Sequence, residues 1–329
     1  MEKFVFFGRS NFQYNGFDSM KILLNDVIDD ENFFYVEPTD SIAYRWLNFF
    51  YLDRVGTAIK KRISVPLRVK AFQQYIQHLN SLSKEDEVFF IFVRHEPWFF
   101  GEDGFLHFLR KQFPKSKLVY LLINVNRYLG INFDEFCPCF DRVLTIDEGD
   151  AEKYGLELHP FFYSPIEQDD ESIAESDCFY VGNAKGRLEE ILEAYELLSS
   201  NGLRCDFHIV GVPEDQQRYK ECISFNKPLD YDEVVFRTKK TKMLLEIMQE
   251  GQTSGTLREH EAVVYGKKLL TNNQYIVNRN FYNPENIFLF KEIRDIPVNF
   301  LTAKKLPAEY PHKESISPRA LLKFLVESD

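Results

Sequence analysis

"SGTLREHEAVVYGKKLLTNN", Ser254 to Asn273, crowds charged residues onto one short helix-forming run that turns directly into an apolar strand. Thr256-Leu-Arg-Glu259 has the spacing of a capping box, with the Thr hydroxyl covering a free amide of the first turn and Glu259 reaching back to the cap residue. The pattern predicts a helix over Leu257 to Tyr265, ended by Gly266, which takes the left-handed conformation that stops helices. Leu257, Ala262, Val263, Val264 and Tyr265 are apolar enough to bury most of it. Glu261 therefore sits where a carboxylate is costly unless it is paired or bound.

Upstream, "KMLLEIM" reads as a strand and "QEGQTSG" as a polar loop; downstream, "KKLLTNN" reads as the next parallel strand. Ligands of such sheets bind beyond the carboxyl ends of the strands, at the start of the following helix. There the amides of Ser254, Gly255 and Thr256 are expected to face an anion, helped by the helix dipole. Glu261 is one turn inside, where it can accept from ribose hydroxyls, and Arg258 is placed for a phosphate or for Glu261 three residues on. Two readings stand: a phosphate and ribose site, or a buried Arg258–Glu261 ion pair with no ligand.

The strand pattern repeats along the chain. "FVFFG", "NFFYVEP", "EVFFIFV", "KLVYLLI" and "RVLTID" alternate with helix-length segments in the first half. Continuous apolar strands of this kind belong to parallel sheets covered on both faces. An acidic interval, Ile166 to Asp177, reads as a solvated linker. After it come "CFYVGN", "CDFHIVG", "CISFN", "TKMLLEIM", "KKLLTNN" and "NIFLF", with "GRLEEILEAYELLSS" as an amphipathic helix carrying Leu188, Ile191, Leu192, Tyr195 and Leu198 on one face. The fold class is α/β, two doubly wound Rossmann-like domains facing across a cleft. Their expected limits are 1–165 for an acceptor domain, 166–177 for the linker, 178–312 for a donor domain and 313–329 for a C-terminal helix.

Composition agrees with two packed domains. The chain has 329 residues, 44% hydrophobic and 16% aromatic with 32 Phe, more than one domain of about 100–200 residues holds. No apolar run approaches a membrane span and the N-terminus lacks a signal-peptide pattern, so a cytoplasmic protein is expected. The five cysteines are expected to be reduced thiols, and Cys137-Pro-Cys139 has too few partners for zinc. A net charge of −11 argues against a nucleic-acid binder. The charge is uneven: Tyr44 to Lys70 holds seven Lys or Arg against Asp53, so that segment is +6 and the rest −17.

"EHEAVVYGKKLLT" resembles the Glu-Ala-x-x-x-Gly segment of nucleotide-sugar glycosyltransferases of the GT-B fold, especially bacterial enzymes of capsule, exopolysaccharide and lipopolysaccharide synthesis. "YVGNAKGRLEEILEAYELL" is similar to the strand, Gly-x-x-Lys-Gly-Arg turn and helix that open their donor domain. "FDRVLTIDEGDAEKYGLELHPFFY" and "YNPENIFLF" extend the resemblance over roughly residues 120–300. It implies that Glu261 holds the donor ribose, that Gly182, Lys185 and Arg187 lie by the diphosphate, and that no bound metal or cofactor is needed beyond the nucleoside diphosphate sugar. Retaining members have two acids with seven residues between them; counting back from Glu261 reaches Thr253, so the sugar-positioning acid is missing at that place. "DYD", Asp230 to Asp232, is read as a helix cap rather than a metal motif.

The facing domain is expected to hold the acceptor, a glycan or lipid-linked glycan. "VFFIFVRHEPWFFGEDG" ends a strand with Arg94, His95 and Glu96, followed by Trp98 and Phe99 as stacking surfaces. His95 is either the base for an acceptor hydroxyl or a structural residue; Asp18 and Asp103 are weaker candidates for the base. The basic segment interleaves Tyr44, Trp46, Phe49, Phe50 and Tyr51 with its cations. It reads either as a membrane-facing patch with Lys60, Lys61 and Arg62 on anionic lipid, or as core with a solvated face. The reading is thus a cytoplasmic transferase, peripheral at the inner membrane face. A nucleotide-sugar epimerase and a non-catalytic sensor are the alternatives, and no Gly-x-Gly-x-x-Gly supports a dehydrogenase.

Overall fold

The computed structural model describes residues 2–8, 20–36, 65–93, 99–102, 104–124, 130–302 and 308–327. They form two six-stranded sheets. The first comprises β1 (Glu2–Phe7), β2 (Phe33–Val36), β3 (Glu87–Phe92), β4 (Lys117–Leu122), β5 (Arg142–Thr145) and β6 (Glu157–Leu158), in the order β2-β1-β3-β4-β5-β6. The second comprises β7 (Ser176–Asn183), β8 (Cys205–Val210), β9 (Ile223–Phe225), β10 (Thr241–Glu246), β11 (Lys268–Thr271) and β12 (Ile287–Leu289), in the order β12-β11-β10-β7-β8-β9. Neighbouring strands are parallel in both sheets. The helices are α1 (Met20–Leu23), α2 (Val65–Tyr75), α3 (Phe105–Gln112), α4 (Phe133–Phe136), α5 (Glu148–Tyr154), α6 (Leu188–Ser200), α7 (Tyr231–Lys240), α8 (Leu257–Val264), α9 (Val298–Thr302) and α10 (Pro318–Glu327).

The apolar strands are continuous because successive residues feed different cores. In β1, Val5 and Phe7 enter one cluster and Phe6 the other; in β3, Val88, Phe90 and Phe92 part from Phe89 and Ile91 in the same way. The Phe content is used in aromatic contacts on that face. Phe7 stacks on Phe92 at 4.6 Å and meets Phe105 edge-on at 5.6 Å. One cluster runs through both halves, joining Phe6, Leu121 and Leu144 to Phe179, Leu244 and Leu269 through Phe162, Tyr163 and Ile166 of the connecting segment.

Each sheet has a point where the chain reverses its direction of winding. In the first, β1 is followed by β2 on one side and β3 on the other; in the second, β7 is followed by β8 on one side and β10 on the other. Crevices at the carboxyl ends of such strand pairs are where doubly wound sheets take ligands. The expected acceptor residues Arg94, His95, Glu96 and Trp98 follow β3 in the sequence and lie outside the described residues. So do Asp18, Asp103, Lys60, Lys61, Arg62 and the aromatics Tyr44 to Tyr51. Among the described residues no helix is long and apolar enough to cross a membrane.

The connecting segment, expected to be a solvated linker, is exposed over most of its length and anchored by lysines of the second half. Lys239 Nζ at the end of α7 donates to the carbonyls of Ile166, Glu167 and Gln168 at 3.2, 3.1 and 2.6 Å. Lys240 faces Glu171 at 3.0 Å and Lys242 faces Asp177 at 2.6 Å. Its acids answer "TKKTK" across the fold, a pairing between segments roughly 70 residues apart that local composition does not report. The last helix returns to the first sheet. Arg142 on β5 binds Glu157 with Nε at 3.0 Å, donates from Nη1 to the Leu325 carbonyl at 3.1 Å, and lies 4.8 Å from the Phe324 ring. Arg142→Met should therefore lower chain stability by about 2 kcal/mol, the range for losing buried charged hydrogen bonds, and speed proteolysis within α10. An unchanged urea midpoint would show that α10 is held by its apolar face alone.

Candidate functional site

The crevice between β7 and β10 is bounded by the β7–α6 turn, Asn183 to Arg187, and by the loop from Ile247 to Thr256 that begins α8. Lys185 is exposed and holds the left-handed conformation, φ 40°, beside Gly186 at φ 85°. A non-glycine residue there is strained, and Asn183 Oδ1 steadies it by accepting from the Lys185 amide at 3.1 Å. Gly182 lies in β7 itself; a Cβ there would stand 3.0 Å from the Tyr180 hydroxyl.

Arg187 reaches across the crevice. Its Nη2 donates to the Asn183 carbonyl at 2.5 Å, its Nε to Ala184 at 3.3 Å, and its Nη1 to Ile247 at the end of β10. Expected beside a diphosphate, its guanidinium ties the carbonyl ends of the two strands together. Its charge stays in the crevice while these three donations are made.

The helix start is also corrected. Thr256 is the N-cap, its hydroxyl accepting from the Arg258 amide at 3.1 Å. Its own amide goes to Glu246 Oε1 at 3.1 Å and its hydroxyl to the same oxygen at 2.6 Å, so Glu259 does not reach back to the cap. The Ser254 amide donates to Asp147 Oδ2 at 2.6 Å. Two of the three amides expected to face an anion are therefore occupied by carboxylates. At Gly255 a Cβ would fall 2.0 Å from Glu259 Oε2, so glycine is what lets that carboxylate lie along the loop. Glu246, inside "KMLLEIM", was signalled only by being a charge in an apolar run; Thr271 Oγ1 also donates to it, at 2.5 Å.

Asp147 belongs to the other half of the molecule. It caps α5, accepting from Asp150 at 2.9 Å, and its second oxygen takes Ser254 and, at 3.3 Å, Thr253. The adjacent Gly149 amide donates to Thr253 Oγ1 at 3.0 Å. Where the sequence lacks an acid, at Thr253, the fold thus brings a carboxylate from the first sheet. Glu148 binds Arg279, whose Nε lies 3.4 Å from Glu259 Oε2, while Asn273 Nδ2 donates to Glu259 Oε1 at 2.6 Å. Burial, and the nearness of Glu246, raise the Glu259 pKa; burial raises that of Glu148.

Glu261 forms the expected ion pair. Arg258 Nη1 stands 2.6 Å from Oε2 and Nη2 donates to Oε1 at 2.8 Å, with the Tyr231 hydroxyl at 3.3 Å. The Glu261 side chain is fully buried, yet Oε2 receives no hydrogen bond of good geometry. Burial pushes its pKa up to about 7 against the pull of Arg258. His260 is buried, its Nδ1 3.2 Å from the Thr256 carbonyl, and burial brings it down to about 4. Asp230 holds the N-cap position of α7 but its carboxylate makes no capping bond.

No protein-family model and no curated protein sequence matches the chain. Among solved structures it is similar to an alpha-glucosyltransferase in complex with UDP-glucose and DNA containing an abasic site, at 12% identity over 100% of both chains with a TM-score of 0.55. The chain has the GT-B fold. A UDP-N-acetylglucosamine 2-epimerase, 11% identical over 99% of this chain and 96% of its own, scores 0.49, and the glycosyltransferase SnogD from Streptomyces nogalater, 12% identical over 100% of both chains, scores 0.43. In this GT-B chain the β7–β10 crevice is the switch point of the second sheet, which fixes it as the place to look for a ligand.

The buried acids give the folded chain a pH signature. Glu148, Glu259 and Glu261 bind protons more tightly folded than unfolded, so their contribution is full below about 4.5 and is lost as pH rises through the folded values. His159 and His260, both lowered to about 4, act oppositely, but only below their ordinary 6.5. Urea unfolding should therefore show stability declining between about pH 6.5 and 8. Glu261→Gln should flatten that decline; a wild-type profile level over the interval would mean that these carboxyls are ionised at no cost.

Proposed function

We propose that this GT-B chain is a glycosyltransferase that moves a sugar from a nucleoside diphosphate donor to a hydroxyl of a lipid-linked surface glycan. The observation that carries the reading is the gathering of Lys185, Arg187 and Arg258 around the switch point of the second sheet, with the first sheet's α5 fastened against the same loop. Cations fixed beside a leaving diphosphate stabilise it electrostatically as it departs. Lys185, exposed on a rigid turn, is the one we assign to direct phosphate contact. Glu261, paired with Arg258, is the candidate for the ribose, which it takes in exchange for part of that pairing; Ser254, Gly255 and Thr256 shape the loop above it.

The alpha-glucosyltransferase of similar fold was solved with UDP-glucose, which supports a donor of that class. It was also solved with DNA, but a net charge of −11 favours an uncharged or sugar acceptor here. The acceptor side is proposed to form from the segments that follow β1 and β3, including Arg94, His95, Glu96 and Trp98, with Lys60, Lys61 and Arg62 towards an anionic membrane. The second reading, an epimerase, uses the same donor crevice and no acceptor.

Incubation with a panel of nucleoside diphosphate sugars without acceptor separates the readings. Slow hydrolysis is expected; interconversion of two sugars would make the chain an epimerase, and binding without turnover a sensor. Lys185→Ala should weaken donor affinity by about 1 kcal/mol, roughly fivefold and less at high salt. Unchanged affinity at low salt would remove Lys185 from the site.

A further inference from the structure

Tyr180, at the switch point, has no role in the donor site described above. It lies on β7 with its side chain in the apolar cluster between the sheet and α6, 5.5 Å from Phe207. The hydroxyl does not share that apolar setting. It projects along the strand over Gly182, where a Cβ would come within 3.0 Å of it, so glycine at 182 makes room for this oxygen. Among the described residues it makes no hydrogen bond, although Tyr180 is only 3% exposed. The small accessible remainder of the residue includes the hydroxyl.

An almost buried hydroxyl without a partner is costly, and folded chains keep few of them. The charges acting on it identify what it awaits. Arg187 and Arg258 stand on the cationic side and Glu190 alone on the other. Glu190 is itself engaged by Asn272 Nδ2 at 3.1 Å. Arg187 already donates to three carbonyls and Arg258 is paired with Glu261, so their field reaches the crevice while their best-placed donors are occupied. Burial raises the Tyr180 pKa to about 12, which keeps the hydroxyl a proton donor at neutral pH.

We propose that the Tyr180 hydroxyl is a ligand-contacting residue that donates a hydrogen bond to a phosphate oxygen of the nucleoside diphosphate, with Gly182 holding the space open for it. The assignment rests on the donor reading given above. It explains why this turn needs glycine at 182 although the backbone there is ordinary strand, and it gives the diphosphate a donor that does not have to leave an intramolecular partner.

The test compares the full chain with Tyr180→Phe and Gly182→Ala. Calorimetry with ADP, GDP, UDP and TDP selects the nucleotide that the wild type binds, and inorganic pyrophosphate serves as a competing anion. Tyr180→Phe should weaken both the nucleotide and pyrophosphate by about tenfold, the loss of one hydrogen bond to a charged group. Its thermal midpoint without ligand should hold or rise, since an unpaired buried hydroxyl has been removed. Gly182→Ala should weaken both ligands as well by displacing the hydroxyl. Unchanged affinities in Tyr180→Phe overturn the assignment, and so does a loss confined to the nucleotide with pyrophosphate unaffected. A wild type that binds none of the four nucleotides overturns the donor reading itself and this inference with it.

Discussion

The arrangement depends on the grip of Asp147, Glu148 and Gly149 on the opposite half of the molecule. Three consecutive residues after β5 engage the Ser254 and Thr253 amides, Arg279 and the Thr253 hydroxyl. Two of the groups they satisfy, the Thr253 and Ser254 amides, belong to the loop that starts α8, and that of the buried Ser254 would otherwise lack a partner. Because the same loop presents Glu259, Arg258 and Glu261, the contact that joins the two halves also sets the position of the charges at the switch point. The cost lies in the charge balance. Glu148 and Glu259 flank the largely buried Arg279 side chain, with Glu246 close to Glu259, and the raised proton affinities of Glu148 and Glu259 are the expected response.

The two acids of "EHE" are two residues apart on α8, so they leave the helix on nearly opposite sides. Glu259 turns to Asn273 and Arg279 at the junction with the first sheet. Glu261 turns to Arg258 and to a group of tyrosines, with Tyr231 bonded to Tyr163 at 3.0 Å. The Tyr265 hydroxyl in turn accepts from the Ile166 amide at 2.9 Å. One short helix therefore joins the junction between the sheets on one side to the anchored connecting segment on the other. Replacing either acid alone removes a partner from a buried cation, which is why the pair is better understood as two local balances than as one catalytic dyad.

Much of the fold was legible in the sequence. Among the described residues, eleven of the twelve strands stood out as continuous apolar runs, and the two-residue β6 went unseen, being too short and too polar for a periodic signal. The α6 face and the stop of α8 near Gly266, φ 61°, followed from spacing and from one residue's conformational freedom. These are properties of neighbours along the chain, for which helix and strand periods and steric limits leave few choices.

Partner choice was a different matter. The sequence placed Glu261 beside Arg258 because three residues on a helix are neighbours, but Glu259 was assigned to a cap whose amide Glu246 had taken from another strand. Arg187 was singled out by its place in a motif, and the carbonyl it binds at Ile247, 60 residues away, left no sign in that motif. Asp147 meets Ser254 across 107 residues, and nothing in either segment names the other. The sequence by itself determined which residues are strand, helix and turn, and that charges would be buried near Ser254. Only the tertiary structure decided which donor each carboxylate holds, because a buried hydrogen bond is awarded by proximity in space, and proximity between distant segments exists only once both sheets are packed.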